Sequence, residues 1–168
     1  ARLLPAASAP AFVQAALLLV SAWGFFVLMR ILGVGPRGAL LGALVFCGSG
    51  YVELWRAHEH LSAVAFAPWI VAAGTRLLRR PGPRPALLAG LAGGCVALSG
   101  HPQSILAVAL LAAFAFLPSL PRAVRQLAGV AAWGAAAAGL AALLAARFAL
   151  PFLENLPASA AWAERSGA

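Results

Sequence analysis

The stretch Pro10-Ala-Phe-Val-Gln-Ala-Ala-Leu-Leu-Leu-Val-Ser-Ala-Trp-Gly-Phe-Phe-Val-Leu-Met29 holds twenty residues without a charge, and it decides the fold class. At about 1.5 Å per residue it is long enough, as a helix, to cross roughly 30 Å of hydrocarbon. Its apolar residues are not confined to one stripe. A helix that is apolar all round belongs in a protein core or in lipid. Composition selects lipid: 63% of the 168 residues are hydrophobic and only 10% are charged, against about a quarter charged in soluble domains. A soluble fold of this size lacks the interior volume to hide that much apolar surface.

Five more apolar runs follow, separated by Arg, Pro and Gly. The six spans are expected at approximately 10–29, 38–55, 61–78, 86–99, 102–117 and 127–150. They form one all-α, polytopic transmembrane helix bundle that takes in residues 1–168 as a single transmembrane region. Ala1 in place of Met, and the polar stretch Ala161 to Ala168, are expected of a fragment of a longer protein. The second and fourth runs are close to the lower limit for spanning. What favours crossings is that charge alternates from loop to loop.

The first loop carries Arg30 and Arg37, the third Arg76, Arg79, Arg80 and Arg84, and the fifth Arg122 and Arg125, eight arginines with no acid. The second loop carries Glu53, Arg56, His58, Glu59 and His60. The fourth has no formal charge, only Ser99, His101 and Gln103. The last segment holds Arg147, Glu154, Glu164 and Arg165. The positive-inside rule puts the odd loops in the cytoplasm and both ends of the chain outside. The net charge of +8 does not point to nucleic acid, because the arginines lie scattered between apolar runs rather than on one basic face. Cys47 and Cys95 fall inside apolar runs, where small buried hydrophobes are expected and a disulfide is not.

Helix-packing devices are visible. Gly38-Ala-Leu-Leu-Gly42 and Gly90-Leu-Ala-Gly-Gly94 place small residues four apart, which lets backbones approach closely. Gly134 and Gly139 in the last run have the same potential. Trp55 and Trp162 suit an interfacial belt, and Trp23, Trp69 and Trp133 suit packing between helices.

Three polar elements gather on the expected outer side. In Tyr51-Val-Glu-Leu-Trp-Arg-Ala-His-Glu-His60, a helix continuing past Tyr51 would set Glu53 and Arg56 on one face, with His60 four residues on. In Ser99-Gly-His-Pro-Gln103, Gly100 permits a tight turn and Pro102 suits the first helical position. A non-helical turn at membrane depth must be buried in protein or line a cavity, so His101 and Gln103 are expected to face something polar. In Leu150-Pro-Phe-Leu-Glu-Asn-Leu-Pro-Ala-Ser159, Glu154 sits in a segment expected to lie along the membrane surface. Each element reads equally as a solvated loop or cap. Ionisable groups next to the bilayer are nonetheless the natural functional candidates. The candidate substrate-site residues are Glu53, Arg56, His58, His60, His101, Gln103 and Glu154. His58, His60 and His101, with Glu53, Glu59 or Glu154, are ligand types that suit a divalent cation, although His-x-His alone is a weak signal. No Walker loop, nucleophile elbow or paired CxxC occurs.

The order of features resembles the YfhO-like family of bacterial membrane proteins, related to the type C glycosyltransferases (GT-C). The features are Met29-Arg-Ile-Leu-Gly-Val-Gly-Pro-Arg37, a Gly-Ala-Leu-containing helix ending in Ser49-Gly-Tyr51, a histidine-containing loop, and a span with Ala67-Pro-Trp69. Leu98-Ser-Gly-His-Pro-Gln103 and Leu150-Pro-Phe-Leu-Glu154 complete them. The resemblance covers nearly the whole chain, and its most specific parts are short. It implies a GT-C-like bundle in the bacterial inner (plasma) membrane. It also implies sugar transfer from a polyprenyl-phosphate donor on the outer membrane face, with membrane lipid and the lipid-linked sugar as partners. In such enzymes the acidic catalytic residue lies in the first outer loop, which here would precede Ala1. The sequence contains no Asp, so no catalytic residue is carried over. A transporter or flippase for a lipid-linked or small polar substrate, and a non-catalytic membrane scaffold subunit, stand as alternatives. The first predicts polar groups at mid-bilayer depth, and the second predicts that the outer elements lie far apart.

Overall fold

The computed structural model describes residues 9–55 and 60–155. In order they form α1 (Ala9–Ile31), α2 (Pro36–Cys47), α3 (Gly50–Trp55), α4 (His60–Arg79), α5 (Pro83–Ala97), α6 (Pro102–Phe116), a 3₁₀ turn (Leu117–Ser119), α7 (Leu120–Arg125) and α8 (Leu127–Asn155). No strand occurs among the described residues. Four stretches are long and apolar enough to cross a membrane: Pro10–Ile31, Leu61–Arg79, Pro102–Arg125 and Leu127–Asn155. Large apolar side chains such as Leu19, Trp23, Phe114 and Leu143 point outward from the bundle, each more than two-thirds exposed. Water would oppose that arrangement, and a hydrocarbon solvent does not.

The second run makes shorter helices than its apolar length suggested, and the fourth is displaced toward the N-terminus. The second breaks at Gly48 and Ser49 into α2, of 12 residues, and α3, of six. The Ser49 hydroxyl accepts from the Val52 amide at 3.5 Å and so caps α3. The fourth run begins earlier than expected, at Pro83, and ends at Ala97. The last run continues beyond its expected end. Pro151 removes one backbone donor, yet α8 carries on to Asn155, whose side-chain amide donates to the Pro151 carbonyl at 2.7 Å. Residues 150–155 are therefore the end of a helix and not a segment along the surface.

Helix α1 closes in a Schellman motif. Gly33 takes φ +91°, the Gly33 amide bonds to the Arg30 carbonyl, and the Val34 amide bonds to the Met29 carbonyl. The Arg30 guanidinium donates to Val34 O at 3.0 Å and holds the turn.

Helix α4 is the hub. More than half of its span is buried (56%), against 17%, 22% and 6% for the spans of α1, α6–α7 and α8. Its small residues allow this: Ala63, Ala65, Ala67, Ala72, Ala73 and Gly74 are all buried, and small side chains let neighbouring backbones come close. The α1 seam centres on Gly24, where a Cβ would lie 2.5 Å from Trp69 Nε1. The Trp69 indole donates to the Val20 carbonyl at 2.9 Å. On α6, Phe116 fills the space above Gly74. Helix α5 packs on α4 through Val96 against Ala63 and Ala67. Its Gly90 and Gly94 are seated on Ala137, Leu140 and Leu144 of α8.

These pairings set the direction of each helix. Residues 20–24 of α1 meet residue 69 of α4, and both helices end together, since Arg79 donates to the Ile31 carbonyl at 3.4 Å. Helix α6 runs the same way, with Val108 beside Ala63 and Ala67, and Phe116 against Gly74. Helices α5 and α8 run together in the opposite direction. So does α2, in which Gly42 lies by Phe25 and Met29, Phe46 stacks on Phe25, and the Cys47 thiol donates to the Leu18 carbonyl. Counting the shorter α2 and α5, the helices α1, α2, α4, α5, α6 and α8 alternate in direction.

Gly134 and Gly139 have open space where a Cβ would stand, so these two glycines of α8 are not seam residues. Trp69 packs between helices as expected and Trp133 is half-buried, but Trp23 is 68% exposed. The Trp55 side chain and Trp162 lie outside what is described. Both cysteines are free thiols, half-buried.

Candidate functional site

The alternation of helices sorts the polar residues by end. At one end the structure collects Arg30, Arg37, Arg76, Arg79, Arg80, Arg84, Arg122 and Arg125. The Gln126 side chain donates to the Arg79 carbonyl there, and Pro81 packs against Gly129. The other end holds α3 with Glu53, the first residue of α4 (His60), the turn from Ser99 to Gln103, and the last turns of α8 with Glu154. Among the described residues, Arg147 is the single arginine in that half, one position from Phe148, which meets Gly100. Arg56, His58 and Glu59 lie outside the described residues, and the His60 side chain is likewise not described.

The Ser99–Gln103 turn is built from its sequence in a direct way. Helix α5 ends with the Leu98 amide on Gly94 O and the Ser99 amide on Val96 O. Gly100 then takes φ +70°, which the lack of a Cβ permits. His101 is extended, at φ −109° and ψ 100°, and serves as the N-cap residue of α6. Pro102 occupies the helix start, where no amide hydrogen is required. The His101 carbonyl accepts from the Ile105 amide at 3.1 Å and opens the helical ladder. A Cβ on Gly100 would lie 3.3 Å from the Phe148 ring, so the turn rests against α8.

His101 is half-buried, Gln103 exposed and Ser104 buried, while Ser99 places its hydroxyl in the interior. The turn thus mixes an imidazole, a hydroxyl and an amide at the edge of the bundle. A short α5 is responsible. Its 15 residues rise about 22 Å, against roughly 30 Å of hydrocarbon. Helix α8 spans about 43 Å over its 29 residues and stands above the turn.

Glu154 is exposed on α8, six residues beyond Phe148 and so about 9 Å further along the axis. Phe148 and Phe152 stack with ring centroids 6.4 Å apart and form an aromatic strip between the turn and Glu154. Glu53 is exposed on α3, which Val52, 1% exposed, anchors in the bundle. The structure therefore brings His101 and Gln103 together with the Arg147–Phe148 level of α8. Glu154 projects above them, and Glu53 stands on a separate short helix at the same end. Among the described residues no three His, Cys, Asp or Glu group as metal ligands do.

Sequence reading missed two contributions to this end. Ser49 as a helix cap was hidden by the apolar continuity of residues 38–55, although a serine between two glycines is a breaker signal. Phe148 as the wall behind Gly100 carries no sequence signal of its own.

Comparison with protein-family models, with curated proteins and with solved structures finds no match for this chain.

Proposed function

We propose that the chain is part of an integral membrane glycosyltransferase-like protein, YfhO-like and GT-C-like, that transfers a sugar from a polyprenyl-phosphate donor on the outer membrane face. The observation that carries this reading is the Ser99–Gln103 turn. It is a polar turn at the end of a helix too short to reach across the hydrocarbon, backed by a longer helix and opposite the arginine end. A lipid-linked donor keeps its tail in lipid and its phosphate and sugar at the interface. A site for it needs polar groups slightly below the headgroup level, open sideways to the bilayer. The resemblance in the Ser-Gly-His-Pro-Gln and Leu-Pro-Phe-Leu-Glu segments points the same way.

Six crossings, with both described ends outside the cytoplasm, belong to this proposal. The alternating helix directions and the eight arginines at one end support them. In this scheme α2–α3 and α5 cross as short helices whose outer ends leave the recess. His101 orients the acceptor hydroxyl or donates to the donor phosphate. Arg147 offsets phosphate charge as it develops. Glu53, Gln103 and Glu154, with Arg56, His58 and His60, line the approach. A divalent cation is compatible with such a site and is not required by it. No catalytic residue is assigned within this chain, which contains no Asp. A transporter is less well supported, because the ionisable residues of the described helices lie toward their ends and not at mid-depth.

The test is sugar transfer by the full-length protein carrying His101→Ala. A positioned acid–base or hydrogen-bonding group contributes about 10²–10⁴ in rate, so turnover falls by at least about a hundredfold. Unchanged turnover in a variant that reaches the membrane at normal levels overturns the proposal.

A further inference from the structure

The arginine end contains a second feature, separate from the polar turn. Between α5 and α8 runs a groove of about 380 Å³ whose floor is Ala86, Leu87, Trp133, Ala136 and Leu140. Arg84, exposed on the first turn of α5, stands at its mouth. From Trp133 to Leu140 the groove follows α8 for about 10 Å. It opens on the outer surface of the bundle, where Leu87 is 53% exposed.

We propose that this groove binds an anionic phospholipid, with the Arg84 guanidinium on its phosphate and the upper part of one acyl chain along Trp133, Ala136 and Leu140. Three observations favour this occupant. The floor is apolar and faces the lipid-exposed side of the bundle, so an acyl chain is the solvent already there. The mouth is cationic and stays so: both described glutamates, Glu53 and Glu154, are at the opposite end, and Arg76 and Arg80 are exposed at the end of α4 nearby. A planar guanidinium matches a phosphate's oxygens two at a time. Basic pockets between helices at the arginine-rich side of a membrane protein are the sites that hold anionic headgroups. A second copy of this chain fits less well, since side-by-side copies in one membrane would set arginine end against arginine end. The proposal rests on the membrane reading alone, and not on sugar transfer.

The experiment uses the full chain, purified in mild detergent and supplied with equal amounts of phosphatidylglycerol and phosphatidylcholine with matched chains. Bound lipid is counted by native mass spectrometry. Phosphatidylglycerol is expected at about five times the phosphatidylcholine level or more, the factor one arginine supplies near a headgroup. Arg84→Gln lowers that ratio about five-fold, and Arg84→Lys lowers it less. Ala136→Trp, which fills the groove, lowers retention of both lipids.

A ratio equal to that supplied overturns the proposal. So does an equal effect from Arg37→Gln, which would mean a diffuse field, and so does competition by glycerol phosphate as strong as by the whole lipid. A second measurement needs no charge variant. Phosphatidylglycerol brominated on its upper acyl chain quenches tryptophan fluorescence more than brominated phosphatidylcholine does, and Trp133→Phe removes the difference. Equal quenching by the two lipids, or a difference that survives Trp133→Phe, overturns the proposal.

Discussion

Substituting Gly90 by alanine, beside the same change at Gly139, isolates how closely α5 and α8 are packed. A Cβ on Gly90 would lie 2.8 Å from the Ala137 carbonyl oxygen and 2.9 Å from Leu140 Cδ2. The first of these is backbone, which cannot swing aside, so the α8 helix itself must move. At Gly139 the added methyl meets nothing within 4 Å. Both sites lie inside helices, where glycine to alanine gains about 1 kcal/mol of helix propensity. That gain is common to the two variants and cancels in their difference. What remains is the overpacking cost, typically about 1–3 kcal/mol.

For a chain of this size, 1 kcal/mol shifts the melting midpoint by about 2–4 °C. Gly90→Ala should therefore melt about 2–12 °C below Gly139→Ala in the same detergent. Adding Gly94→Ala to Gly90→Ala should cost less than the sum of the two, because one displacement of α8 relieves both contacts. Equal melting of Gly90→Ala and Gly139→Ala would refute the close α5–α8 seam.

Further outcomes follow from other contacts. Trp69→Phe removes the donor to the Val20 carbonyl and should destabilise by about 0.5–1.5 kcal/mol from the hydrogen bond alone, read as a lower melting midpoint; no change would mean that the indole N–H makes no bond there. Gly33→Ala forces a side chain to φ +91° and should cost about 1–2 kcal/mol. Gly35→Ala, with open space around it and ordinary backbone angles, should be tolerated; denaturant midpoints of the pair check this. Gly100→Ala combines φ +70° with a Cβ 3.3 Å from Phe148, so it should misplace His101 and, on the proposed function, lower sugar transfer by more than it lowers expression.

Features with a purely local cause are legible in the sequence. The Gly100–Pro102 turn is one, because a left-handed residue and a helix start each demand a particular residue type. The Gly90/Gly94 seam is another, since two glycines one turn apart leave a flat strip. The pairs Gly24–Trp69 and Gly74–Phe116 are not legible there. In a chain whose solvent is hydrocarbon, apolar residues cover every face of a helix, and periodicity no longer marks the side that packs. For the same reason Gly134 and Gly139 resemble seam residues in the sequence and face open space in the fold. The break at Gly48–Ser49 is masked by apolar residues on both sides, and Pro151 reads as a stop that α8 passes through. At the candidate site the turn is readable. Its depth is not, because that depends on the length of α5 relative to α8.

The central claim is that the chain alternates across the membrane, with the eight arginines from Arg30 to Arg125 that lie at one end of the bundle on one side and Glu53, His101, Gln103 and Glu154 on the other. Cysteine labelling tests it most directly. In a background with Cys47→Ser and Cys95→Ser, single cysteines replace Glu53, Gln103, Arg37 or Gln126, all at described positions outside the long helices or in their first or last turns. A membrane-impermeant maleimide is applied to intact cells and then to permeabilised ones. Glu53→Cys and Gln103→Cys should label in intact cells, and Arg37→Cys and Gln126→Cys only after permeabilisation. Labelling of Glu53→Cys together with Arg37→Cys, on the side opposite Gln103→Cys, would contradict the account, because α2 and α3 would then turn back without crossing.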